Sequence, residues 1–96
     1  MYAAIQRYSP ETSVTSDLAP TGRQIAAALQ HIAGFVAYVL LDADDGQLLA
    51  ISLFEDQAGL AQAQRLLRRQ AADEPNSFST KPPLVSSGEV IVQRGL

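Results

Sequence analysis

The chain has 96 residues, enough for one domain with a real core but short enough that a further interface would add to its stability. Its apolar content is 47% and its net charge is -3, with an isoelectric point near 4.8, so no overall field draws it to nucleic acid. Cysteine is absent, which excludes a disulfide framework and a thiolate nucleophile or ligand.

The opening, MYAAIQRYSP, shows neither a basic start nor an apolar stretch with a cleavage site, so it reads as structure and not as an address. No run approaches the roughly 18 apolar residues of a membrane span. A cytoplasmic location without membrane contact is the expectation.

Tyr2 to Tyr8 predicts a short strand, with Ala3, Ile5 and Arg7 on one side and Tyr2, Ala4, Gln6 and Tyr8 on the other. Ser9 and Pro10 end it, since proline cannot donate to a ladder. After a loop, a helix begins either at Ser16 as N-cap or at Thr21, which has capping-box spacing to Gln24. Ser16 is favoured because it puts Leu18 in register with Ile25, Leu29 and Ile32. Gly34 stands where a helix stop needs positive φ.

Two apolar runs follow, Phe35 to Leu41 and Leu48 to Phe54, around a turn containing Asp45-Gly46, a strong hairpin signal. Both alternate sets are apolar in each run. Phe35, Ala37, Val39 and Leu41 oppose Val36, Tyr38 and Leu40; Leu49, Ile51 and Leu53 oppose Leu48, Ala50, Ser52 and Phe54. A one-sided antiparallel sheet alternates apolar with polar residues, so this sheet is expected to be covered on both faces.

Asp56 is a good N-cap for a second helix. Leu60, Ala63, Leu67 and Ala71 form its apolar stripe with Leu66 beside it, and Arg65, Arg68 and Arg69 its solvated side. It should stop before Pro75, and a loop, NSFSTKPP, leads to a last strand within Leu84 to Arg94, where Val90 and Val92 alternate with Glu89, Ile91 and Gln93.

The order strand, helix, strand, strand, helix, strand predicts an α+β, ferredoxin-like βαββαβ fold: a four-stranded antiparallel sheet with two helices on one face. Two helices cover only that face. The other apolar face predicts a homodimer formed sheet to sheet, because an exposed apolar patch of this kind marks an interface.

The opening strand MYAAIQRY, the Gly34-Phe35 entry to the second strand, the third strand running through Phe54-Glu55-Asp56 into a helix, and the closing GEVIVQR carry a family resemblance. From Tyr2 to Arg94 the chain resembles the dimeric α/β-barrel superfamily, within it the small antibiotic biosynthesis monooxygenase-type domains. The resemblance implies a dimeric α/β barrel with a cavity between sheet and helices. It also implies an aromatic residue at the end of the third strand, matched by Phe54, and in many members a His further along the next helix. Ala63 occupies that position here, so the roles of that His do not carry over. Tryptophan, which haem-degrading relatives use to shape their pocket, is absent as well, and haem degradation is not expected.

The only histidine, His31, lies off the Ile25-Leu29-Ile32 stripe near a helix C-terminus, where its charge would favour the helix dipole. One histidine without cysteine excludes an ordinary zinc site. Asp42, Asp44 and Asp45 lack the other elements of a calcium loop and read as turn chemistry. No phosphate loop or nucleophile elbow occurs, so neither cofactor nor metal is expected.

If the cavity binds a ligand, Arg7, Tyr38, Ser52 and Phe54 are its candidate lining, although strand alternation leaves open whether Tyr38 and Phe54 share a face. Arg7 could instead pair with Glu55 or Glu89. No catalytic residue is identified. Three functions remain: a homodimeric domain of uncharacterised role that binds a small apolar or aromatic metabolite; a cofactor-independent monooxygenase of electron-rich aromatic or quinol substrates, as the resemblance implies; or, with no specific motif behind it, a stress-related or regulatory module that presents its acidic surface to another protein.

Overall fold

A computed structural model describes residues 1–8, 18–73 and 83–96. Six elements follow in the predicted order: β1 (Tyr2–Tyr8), α1 (Leu18–Leu29), β2 (Phe35–Asp42), β3 (Leu48–Phe54), α2 (Gln57–Asp73) and β4 (Leu84–Glu89). The strands form one antiparallel sheet in the order β2-β3-β1-β4. This is the expected ferredoxin-like α+β arrangement. The Ser9-Pro10 strand stop, the Ser16 cap, the Pro75 stop, the loop before Pro83, and the Leu18 and Ala71 side chains lie outside what is described.

Helix α1 already runs through Thr21, so the later capping-box start does not hold. Its end also differs from expectation. The helix stops at Leu29, and a turn follows in which Ile32 N–H bonds Leu29 O at 3.0 Å and Phe35 N–H bonds Ile32 O at 3.2 Å. Gly34, at φ 85°, therefore serves the entry to β2 and not the helix cap. The hairpin turn needs the same freedom at Gly46, at φ 87°, while Asp45 Oδ1 accepts a hydrogen bond from Gln47 N–H at 3.0 Å. At α2, Asp56 caps as expected: its Oδ1 accepts from Gly59 N–H at 2.8 Å.

Between Phe35 and Ala37 the β2–β3 register shifts, and this irregularity corrects the predicted alternation. Phe35 pairs with Phe54 and Tyr38 with Ser52, so Phe35 joins Tyr38 and Leu40 on the helix-covered face instead of Ala37, Val39 and Leu41. The core lies between that face and the helices: Ala4 of β1 and Leu48 and Phe54 of β3 pack with Ile25, Leu29, Ile32, Leu60 and Ala63. Phe35 and Phe54 meet edge to face, with ring centroids 5.7 Å apart.

The opposite face carries Ala3, Ile5 and Arg7 of β1, Leu49, Ile51 and Leu53 of β3, and Ala37, Val39 and Leu41 of β2, paired row by row. Neither helix reaches it. Val39 and Leu41 are 48% and 46% exposed.

The last strand is earlier than the Val90-Ile91-Val92 alternation suggested. Pairing with β1 ends at Tyr2 and Glu89, with one further bond from Val90 N–H to Met1 O at 2.8 Å. Ile91 and Val92 then follow as extended chain, 91% and 82% exposed. Among the described residues, no helix is long and apolar enough to cross a membrane.

Candidate functional site

The interior is not filled evenly. On the α2 side, Phe54 and Ala63 are fully buried and the space between helix and sheet is packed. On the α1 side a cleft of about 370 Å³ remains, open to solvent. Its helix wall is Ala19, Gly22, Arg23 and Ala26, and its sheet wall is Tyr38, Leu40 and Asp42 of β2 with Leu48 of β3.

Helical geometry explains the gap. Ile25 and Leu29 point into the core, whereas positions 19, 22, 23 and 26 share the neighbouring face over β2. Three of those four are Ala or Gly, too small to reach the sheet along its length. At Gly22 the helix does come close: a Cβ there would stand 2.9 Å from Leu40 Cδ2.

One polar atom lies buried in this apolar setting. The Tyr38 hydroxyl is buried and has no hydrogen-bond partner among the described residues. Burial raises the pKa of this phenol far above its usual value of 10.0, and the nearby Tyr8 phenol raises it further. Tyr8 is pushed up to about 12 by burial, and its hydroxyl donates to Gln6 Oε1 at 3.1 Å. Both phenols keep their protons at neutral pH and act as donors, not as bases. Arg23 and Asp42, both exposed, place opposite charges at the mouth.

The four predicted lining residues separate. Tyr38, Ser52 and Phe54 share the covered face, because the bulge brings Tyr38 opposite Ser52. Among these three only Tyr38 lines the cleft; Ser52 is 3% exposed and Phe54 is fully buried in the core. Arg7 is exposed on the opposite face, between Leu49 and Leu84 in register, and cannot join them. Glu89 pairs with Tyr2 on the covered side, so it is not on Arg7's face either.

Sequence reasoning missed the α1 wall. The available signal was the Ala19, Gly22, Ala26 set of small residues at helical spacing. Among the described residues, no group of three or more His, Cys, Asp or Glu side chains could hold a metal ion. His31 is exposed in the turn after α1, and Arg65, Arg68 and Arg69 are exposed on α2.

No protein-family model and no curated protein sequence matches the chain. Solved structures do. Rv0793 from Mycobacterium tuberculosis superposes with a TM-score of 0.71 at 18% identity, covering 98% of both chains. A candidate antibiotic biosynthesis monooxygenase from Nitrosomonas europaea gives 0.67 at 14% identity, over 98% of this chain and 93% of that one. A monooxygenase from the ActVA-Orf6 gene of Streptomyces coelicolor, in complex with nanaomycin D, gives 0.65 at 15% identity, over 99% and 88%. The position assigned by resemblance to a histidine is Ala63, buried in the core. Over nearly its whole length the chain shares the fold of these solved structures, antibiotic biosynthesis monooxygenase proteins among them.

Proposed function

We propose that the chain is a small-molecule-binding domain that holds an apolar or aromatic metabolite in the cleft between α1 and β2 and works as a homodimer. The cleft carries the binding reading: about 370 Å³ of mostly apolar space around a buried, unpartnered phenol. That volume falls at the small end of the roughly 300–1,000 Å³ typical of ligand pockets. Nanaomycin D bound to the Streptomyces coelicolor monooxygenase of the same fold supports an aromatic ligand.

The dimer rests on the uncovered face. Ile5, Leu49, Ile51, Leu53, Val39 and Leu41 form one apolar surface, and the exposed Ile91 and Val92 follow β4 along the chain. Burial of each such side chain is worth about 1.5–3 kcal/mol, and a second copy offers a matching surface.

Thermal melting with a series of one- to three-ring aromatics tests the cleft. A melting temperature that no member of the series raises would defeat it. Sedimentation tests the dimer, which requires twice the 10.3 kDa chain mass at micromolar concentration.

A second reading is a cofactor-independent monooxygenase, favoured by the likeness to the Streptomyces coelicolor enzyme. In that chemistry the deprotonated substrate itself supplies electrons to O₂ and the protein mainly holds it. Tyr38 keeps its proton, Ala63 is buried, and the one carboxylate among the described lining residues, Asp42, is exposed at the mouth, which sets this reading second. Oxygen uptake with electron-rich phenols, in excess of a heat-denatured control, would reverse the order.

A further inference from the structure

The uncovered face of the sheet carries one charge. Arg7 stands on it, exposed, between Leu49 of β3 and Leu84 of β4 in register, with Ile5, Ile51 and Ser86 in the next row. Among the described strands no acid shares that face: Asp42 lines the cleft on the covered side, and Glu89 is paired with Tyr2 there. A guanidinium closed into an apolar interface is costly unless an anion meets it. If this face is where two copies join, the second copy has to supply that anion.

The turn between β2 and β3 offers one. Arg7 is level with Leu49, and the chain running back from Leu49 enters that turn, where Asp44 and Asp45 are both exposed. Asp45 Oδ1 already accepts from Gln47 N–H and serves the turn itself. Asp44 has no such task and is the carboxylate left to offer.

Two-fold symmetry allows the faces to stack in two ways. With the axis across the strands, each strand lies over its own counterpart running the other way, and Arg7 meets the end of the face where β1 and β4 carry Ala3 and Gly88. That arrangement gives the arginine room but no anion. With the axis along the strands, the turn ends of the two copies coincide and the order β2-β3-β1-β4 lies reversed over itself, β1 against β3. Arg7 then stands over Leu49 of the partner subunit, beside the turn that holds Asp44.

We propose that the homodimer forms with its two-fold axis along the strands, and that Arg7 of each copy fixes this alignment by pairing with Asp44 of the partner subunit. The proposal rests on the uncovered face being the dimer interface. The apolar neighbours supply the burial, and the charge pair, made twice by symmetry, selects the orientation.

The test is charge exchange, read as dissociation constants from sedimentation, with circular dichroism on each variant. Arg7→Glu sets two carboxylates against each other and weakens self-association about tenfold or more. Asp44→Lys also weakens it, although the substitution cuts the net charge of -3 by two units and so eases the general repulsion between copies. Mixed in equal amounts, the two variants form a heterodimer in which both contacts again join opposite charges, and its affinity returns to within about threefold of the wild type. Arg7→Gln removes the charge without reversing it and weakens the dimer less than Arg7→Glu, a reading that does not depend on the reversed variant folding. Asp44→Lys or Arg7→Gln dimers as tight as the wild type, or a mixture that forms no heterodimer, overturn the pairing and leave the dimer standing. A wild-type chain that stays near 10.3 kDa overturns the pairing and the homodimer together.

Discussion

The two faces of the sheet are built from nearly the same residue types and have different fates. On one, Leu48, Ala50, Ser52 and Phe54 are buried under two helices; on the other, Leu49, Ile51 and Leu53 of the same strand are only half-buried, and neither helix lies above them. Apolar character by itself therefore does not say what covers a strand. It says that something should, and the number of helices says how much of it this chain provides.

The largest effect expected from perturbing this contrast is at Phe54. Truncation to Ala in the packed half of the core should cost about 3–5 kcal/mol, read from urea unfolding. Against a typical total of roughly 5–15 kcal/mol, that would leave the domain marginal. A loss below about 1 kcal/mol would mean that the α2 side is looser than its burial indicates.

Ile51→Asp makes the corresponding change on the uncovered face. A homodimer carries the substitution twice, and two carboxylates in an apolar interface should weaken association by more than about a hundredfold. Sedimentation should then show a species near 10.3 kDa that keeps its secondary structure. An unchanged dimer would move the interface elsewhere.

The covered face should also be sensitive to alkali. Tyr8 is held protonated up to about 12 in the folded chain, against 10.0 for the free phenol. Between those values the unfolded chain has lost the proton and the folded one has kept it, so stability is complete below pH 10 and falls as pH rises toward 12. The slope is about 1.4 kcal/mol per pH unit for each such tyrosine, with Tyr38 adding to it. Tyr8→Phe should flatten this loss; an identical alkaline profile in the variant would show that Tyr8 is not its source.

Gly22→Ala should have the smallest effect on stability and a visible one on the cleft. Ala favours a helix over Gly by about 1 kcal/mol, while its Cβ would press on Leu40 Cδ2, the end of a side chain able to turn aside. The two should nearly cancel in a melting curve, and aromatic probes should bind more weakly. Unimpaired binding would argue against ligand entry between α1 and β2.

Much of the architecture was legible in order and period. The Asp45-Gly46 turn, the Asp56 cap and the buried Ile25-Leu29-Ile32 set are local signals, each answered within a few residues of chain; each appears in the structure, with Ile32 in the turn after α1 and not in the helix. The candidate site was less legible. Strict alternation left the faces of Tyr38 and Phe54 undecided and put Phe35 opposite Tyr38; one irregularity in the β2–β3 register places all three together. Arg7 looked like a cavity residue because it sits on an inner strand, yet its own parity along β1 turns it outward. The alternation of Val90, Ile91 and Val92 suggested pairing, but the antiparallel register had already reached Tyr2, the first residue of β1, at Glu89.

What the sequence determined on its own was the set of elements, their order and the presence of two apolar sheet faces, because turns, caps and periodicity depend on neighbours along the chain. The tertiary structure decided which side chains meet. The cleft exists because a helix face of Ala19, Gly22 and Ala26 lies across from Tyr38 and Leu40, and that pairing depends on where α1 crosses β2. No spacing along the chain encodes that crossing; it comes from the packing of the larger side chains, Ile25, Leu29 and Phe54, in the core beside it.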